Sequence, residues 1–163
     1  MKKRILTWLL AISMLGSLLT VPAGAAAVTK FSDVSDSYTA TAVEALRLMG
    51  VLDGYGDGTF RPDTVLNRAQ FCKMAVYAMD GSGELGRYST VTIFPDVKPS
   101  HWASAYINMA SKKGIISGFA DGKFKPGQTV TAGQAVTILM RGLGYKDEDM
   151  GGVWPQSYMA EAQ

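Results

Sequence analysis

One passage occurs twice in this chain, the copies lying about 64 residues apart. The first runs from Phe31-Ser32-Asp33-Val34 to Gly50-Val51-Leu52-Asp53-Gly54-Tyr55-Gly56-Asp57-Gly58-Thr59-Phe60-Arg61-Pro62. The second runs from Phe94-Pro95-Asp96-Val97 to Gly114-Ile115-Ile116-Ser117-Gly118-Phe119-Ala120-Asp121-Gly122-Lys123-Phe124-Lys125-Pro126. From Gly50 to Pro62 the copies align without a gap. Repetition at this period denotes one supersecondary unit used more than once, each copy covering its apolar face with a neighbour. Function is then to be sought in what the copies build together.

Each copy reads as helix, glycine-rich loop, helix. In the first, Ala42, Ala45, Leu46 and Met49 recur at helical spacing from about Tyr38, and Gly50 stands where a helix end favours positive φ. A second helix is expected from about Asn67, with Phe71, Met74, Ala75 and Ala78 as its apolar stripe. In the second copy the matching stripes are Trp102, Tyr106, Met109 and Ala110, then Ala135, Ile138, Leu139 and Gly142. The segment Asp80-Gly81-Ser82-Gly83-Glu84-Leu85-Gly86 has the composition of a flexible connector. The expected organisation is a leader over 1–25, a first repeat over 31–79, a linker over 80–93, a second repeat over 94–145 and a third copy beginning at 146–163. That third copy is traced by Trp154, Tyr158 and Ala162, which match Trp102, Tyr106 and Ala110, and by Tyr145-Lys146-Asp147 upstream. A copy that stops within its first helix lacks cover for its apolar face. The chain therefore reads as a fragment, a truncated reading frame or an incomplete gene product.

The leader follows from Lys2, Lys3 and Arg4, an apolar run over 5–21, then Pro22 and the small residues Ala23-Gly24-Ala25. This is the three-part pattern of a secretory signal peptide, with cleavage expected after Ala25 or Ala27 and no membrane span afterwards. The formal charge of +2 belongs mostly to that leader; without its three basic residues the remainder is slightly acidic. No basic stripe is interleaved with aromatics, so a nucleic-acid partner is not expected.

The single cysteine, Cys72, falls at a helix position where the second copy has Val136, and reads as a small buried hydrophobe. The single histidine, His101, reads as a surface or helix-start residue. No metal-ligand set is assembled. The loop Asp53–Gly58 lacks the alternating oxygen ligands and distal glutamate of a calcium loop. No cofactor is expected, and no set of nucleophile, base and orienting group, so an enzyme is not expected.

The order Phe-x-Asp-Val, a Gly-Val or Gly-Ile pair, Gly-x-x-Asp-Gly-x-Phe-x-Pro and a capped helix resembles the S-layer homology repeat. The resemblance covers about residues 31–79 and 94–145, plus the start of a third copy. It implies an all-α fold of helix–loop–helix repeats arranged as a pseudo-threefold prism with a central helical bundle, the third repeat here being incomplete. It implies non-covalent anchoring of a secreted protein to the wall or surface layer of a Gram-positive-type bacterium. The implied partner is secondary cell-wall polysaccharide or peptidoglycan-linked glycan, often carrying pyruvylated N-acetylmannosamine and held in grooves between repeats. Association with surface-layer proteins through self-assembly is the alternative, as is service as the anchor of a larger secreted enzyme.

The family's hallmark is Thr-Arg-Ala-Glu at the start of the second helix. Here it reads Asn67-Arg68-Ala69-Gln70, then Thr131-Ala132-Gly133-Gln134. Asn67 with Gln70, and Thr131 with Gln134, are expected to form capping boxes that satisfy orphan backbone donors. Arg68 is left over from that account. A cation opposes the helix dipole in the first turn, and a bound carboxylate would relieve it. The resemblance gives Arg68 that contact and leaves the second copy, with Ala132, without it. Replacing Ala132 by arginine is then expected to strengthen binding. Trp102 and its counterpart Tyr38 are candidates for stacking on a sugar, with burial in the core as the competing role.

Overall fold

The computed structural model describes residues 30–79 and 82–163. The expected leader lies outside the described residues. The fold is all-α, with α1 (Ser37–Leu48), α2 (Arg68–Ala78), α3 (Ser104–Lys112), α4 (Ala132–Gly142) and α5 (Gln156–Glu161), plus 3₁₀ turns at Ser82–Tyr88 and Asp147–Asp149. Among the described residues the extended pairing is one antiparallel bridge, Asn67 with Thr129. No helix among them is long and apolar enough to cross a membrane.

The two copies build their loops in the same way. Asp33 accepts the backbone N–H groups of Phe60 and Arg61 at 2.7 and 2.6 Å. Asp96 accepts those of Phe124 and Lys125 at 2.9 and 2.7 Å. The clamp sets Phe31 against Phe60 at 5.7 Å between centroids and Phe94 against Phe124 at 5.6 Å. Under each ring sits a glycine. A Cβ on Gly54 would come within 2.1 Å of Phe31, and one on Gly118 within 2.6 Å of Phe94.

Helix α1 starts at Asp36, whose carboxylate accepts from Thr39 N at 2.7 Å, and ends before Gly50 at φ 72°. It buries Ala40 and Val43, with Leu46 packed beside them, onto Phe31, Val34 and Leu52. The expected stripe of Ala42, Ala45 and Met49 faces outward instead. Alanine and leucine occupy both sides of this helix, and the strap carrying Phe31 and Val34 decides which side turns in.

The larger core crosses the repeat boundary. Ala69, Cys72, Ala75 and Val76 of α2 pack with Val97, Ala103, Ile107, Met109 and Ala110 around α3, and with Phe124 and Ile138. Helix α2 therefore buries its Ala69–Cys72–Val76 side against the following copy. Of its expected stripe, Ala75 is buried, Phe71 and Met74 are half-buried, and Ala78 is exposed. In α3 the inward residues include Met109 and Ala110 as expected, joined by Ile107, while Tyr106 is partly buried. Trp102 precedes the helix and is 56% exposed. In α4, Ile138 is joined inside by Thr137 and Met140, whereas Leu139 is exposed. The connector is also more structured than its glycines suggest. Leu85 and Tyr88 of its 3₁₀ turn pack on the main core, and Asn108 donates to the carbonyls of Tyr88 and Val91.

Candidate functional site

The start of α2 is bonded to the second copy. Arg68 N donates to Gln128 O at 2.8 Å and Ala69 N to Pro126 O at 3.1 Å, while Val130 N returns a bond to Leu66 O. Gln70 N donates to Asn67 Oδ1 at 2.9 Å, and Asn67 N to Gln70 Oε1 at 3.0 Å, completing a capping box. Thr131 and Gln134 form the same box at 3.3 Å for each bond. The first-turn amides of α2 thus already have acceptors. An anion seated directly on that helix end, as the sequence suggests, finds no amide there to receive it.

The Arg68 side chain runs on into the second copy. Nε donates to Phe124 O at 2.8 Å and Nη2 to Ser117 O at 3.3 Å. The guanidinium lies 4.6 Å from the ring centroids of both Phe119 and Phe124, a cation–π arrangement. The residue is 5% exposed. No carboxylate is ion-paired with it among the described residues. Burial lowers its pKa from the ordinary value, partly offset by Cys72 and Asp96, and an arginine stays charged in this setting. Nη1 has no acceptor among the described residues.

Arg68 opens onto a groove of about 340 Å³ between the loop of the second copy and the start of the third. Its walls include Ser117, Phe119, Gln134, Thr137, Arg141, Asp147, Trp154 and Tyr158. Trp154 Nε1 donates to Thr137 Oγ1 at 2.9 Å. Arg141 makes a bidentate pair with Asp147, Nε to Oδ1 at 2.8 Å and Nη2 to Oδ2 at 2.6 Å, and the Tyr158 hydroxyl donates to the same carboxylate. That environment, the Arg141 bonds foremost, holds Asp147 below its ordinary pKa.

A second groove of about 330 Å³ has the same construction one repeat earlier, between the loop of the first copy and Trp102. Asp53, Tyr55, Gln70 and Lys73 stand here where the other groove has Ser117, Phe119, Gln134 and Thr137. Trp102 thus lies on a groove wall. Tyr38 is 84% exposed and lines neither groove, which rules out the core role for its ring. His101 accepts from Ala103 N at 3.1 Å and stacks on Trp102. Cys72 is fully buried, and burial pushes its thiol up to about 12. No cluster of metal-ligating side chains occurs among the described residues.

The sequence makes Arg68 and Trp102 ligand candidates, and the structure puts them on the walls of different grooves. Sequence reasoning missed Arg141, Asp147 and Phe119. Offset by one repeat, Arg141 falls opposite Tyr77 and Phe119 opposite Tyr55. That substitution of a cation for a phenol was the available signal.

The molecule is thus an all-helical repeat protein with a groove at each junction between copies. The model of the S-layer homology domain matches residues 30–72 and 93–136, and the chain belongs to that family. It is 34% identical over 83% of its length to a middle cell wall protein of Brevibacillus brevis, and 34% identical over 91% to a surface layer protein of Brevibacillus choshinensis. It is 31% identical over 69% of its length to a cellulosome-anchoring protein of Acetivibrio thermocellus. The chain spans 13%, 14% and 26% of the lengths of these three relatives.

Proposed function

We propose that this chain is a secreted, non-catalytic module that anchors a protein to the cell envelope by binding an anionic wall polysaccharide. The repeats would form part of a pseudo-threefold prism, with the ligand in the groove that Arg68 lines. The observation that carries this reading is Arg68 itself. Buried charges are ordinarily paired, yet this guanidinium has only carbonyls and ring faces for partners and belongs to a residue that lines a groove. A ligand carboxylate supplies the missing counter-charge, and the planar fork of arginine suits it. Phe119 and Trp154 offer faces for a sugar ring. Trp102 does the same in the first groove, beside Lys73. The names of the cell-wall, surface-layer and anchoring relatives support placement at the envelope.

The test is co-sedimentation of the chain from Ala26 onward with Gram-positive cell walls, before and after chemical removal of the secondary polysaccharide. Binding should disappear with the polysaccharide. Arg68→Ala should weaken it at least about tenfold, the loss of one charge-assisted contact, with helicity retained by circular dichroism. Equal binding by Arg68→Ala would remove Arg68 from the site.

A second reading is association with like surface-layer subunits. The outward side of α1 favours it, since Tyr38, Leu48 and Met49 are 84%, 72% and 67% exposed. Concentration-dependent size in sedimentation, without wall binding, would select it.

A further inference from the structure

The loops of the two copies share one backbone and carry opposite charge. In the first, Tyr55 N donates to Thr59 O at 2.8 Å and Gly58 N to Tyr55 O at 3.0 Å. In the second, Phe119 N donates to Lys123 O at 2.8 Å and Gly122 N to Phe119 O at 2.9 Å. Arg61 and Lys125 hold the same left-handed backbone, at φ 61° and 57°. Over residues 50–63 the first loop sets Asp53, Asp57 and Asp63 against Arg61, a formal charge of −2. Over residues 114–127 the second sets Lys123 and Lys125 against Asp121, a formal charge of +1.

One substitution accounts for much of the reversal. In the first loop Arg61 Nη2 donates to Asp57 Oδ2 at 2.7 Å, Arg61 Nε to Thr59 Oγ1 at 3.1 Å, and Thr59 Oγ1 to Asp57 Oδ1 at 2.6 Å. That circuit is closed and neutral. In the second loop Lys123 replaces Thr59, and Lys125 Nζ pairs with Asp121 at 3.0 Å. A single carboxylate cannot neutralise two cations, and the exposed Lys123 is the surplus. This surplus adjoins the groove of Arg68. Arg68 Cζ and Lys125 Nζ lie 4.6 and 4.4 Å from the centroid of one ring, that of Phe119, which lines the groove. Arg68, Lys125 and Lys123 thus form a row of cations that starts in the groove and leaves it across the second loop.

We propose that the second loop is an outer subsite for an acidic polymer. With one acidic sugar seated at Arg68, the next acidic group on the same strand lies over Lys125 and Lys123. The inference rests on the groove reading above. Each exposed contact is weak by itself. Tethering makes it count, because a second group on a strand already held arrives at high effective concentration. The acidic first loop repels such a strand, so the charge pattern also sets which way the polymer leaves the groove.

The experiment is calorimetric titration with two probes, pyruvylated wall polysaccharide and one repeating unit cut from it that carries a single carboxylate. Lys123→Gln should bind the polymer about two- to fivefold more weakly, the range an exposed pair supports, and the single unit as the parent does. Lys123→Glu should lose more of the polymer affinity. The polymer affinity of the parent should fall more steeply with salt than that of Lys123→Gln, since fewer charges are matched in the variant. Arg87→Gln removes an equally exposed cation from the connector and should change little. Thermal melts show that each variant is folded. Parent-like polymer binding by both Lys123→Gln and Lys123→Glu overturns the proposal. So does an equal loss for both probes, or a loss of the same size in Arg87→Gln. If Arg68→Ala weakens both probes while the Lys123 variants bind the polymer as the parent does, the outer subsite alone fails. If the parent binds neither probe, or Arg68→Ala binds equally, the groove reading fails and this inference with it.

Discussion

Arg68 divides its guanidinium between two tasks. Nε and Nη2 hold carbonyls of the second copy, and the residue also lines the groove. A lysine there would keep the charge but lose the fork, so Arg68→Lys should hold the junction better than it holds ligand. Gly54 and Gly50 separate two further effects at single residues. Both have positive φ, at 71° and 72°, but a Cβ on Gly50 meets open space while one on Gly54 overlaps the Phe31 ring. Gly50→Ala should therefore cost about 1 kcal/mol, the conformational penalty alone. Gly54→Ala should cost about 2–4 kcal/mol, because the ring beneath it must also move. Chemical denaturation of the two variants side by side measures the difference. Equal losses would mean that Phe31 yields without cost.

Among the elements, the loop clamps make the fold sensitive to acid. The Phe60 and Arg61 amides hold Asp33 below its ordinary pKa of 3.8, the Phe60 bond most of all. For Asp96 burial is the largest single influence and pushes upward, but the amides of Phe124, Lys125 and Asp96 itself, with the charge of Lys123, together outweigh it. Asp57, bonded by Thr59 and Arg61, is lowered to about 2. Carboxylates with depressed folded-state pKa values stabilise the fold above their unfolded pKa and lose that contribution as pH falls through the folded value. The melting temperature should therefore be flat from neutral pH to about pH 5 and fall steadily below about pH 4. In Asp96→Asn the acid limb should be shallower and the neutral value lower, because an amide cannot accept both N–H groups. These elements were legible in the sequence to different degrees. The helices and both capping boxes could be read because each depends on residues within one copy. The inward sides of α1 and α2 could not. Ala42 and Val43 are equally good inward residues until Phe31 is placed, and Val76 turns inward because α3 lies beside it. The same reason hid half of the groove, since Arg141 and Asp147 are read as a pair only after α4 and the third copy have met.

At the scale of the whole molecule, the unit of sequence and the unit of packing are out of step. Helix α2 belongs to the first copy by sequence, yet its buried side packs against the second copy, and the amides of Arg68 and Ala69 and the Arg68 side chain bond to it. A residue at the Arg68 position thus serves the loop of the next copy and not its own. This changes what is expected of Ala132. By the same offset, position 132 would address a loop following the second copy's, while the loop of the second copy is bonded by Arg68. The surroundings agree, since Ala132 is exposed and lines neither groove, and its neighbour Gly133 faces Pro155 of the third copy. Ala132→Arg should therefore leave the affinity of this chain for wall polysaccharide within about twofold of the parent, the effect of one added exposed charge. Arg68→Ala, at a residue that lines the groove beside the second copy's loop, should still weaken it. Titration of both variants with one polysaccharide preparation makes the comparison. A gain of tenfold from Ala132→Arg would place that position in a groove and return each arginine to its own copy. No gain, alongside a loss at Arg68, means that a groove is completed by the copy before it, so that a binding site in this architecture always takes residues from neighbouring repeats.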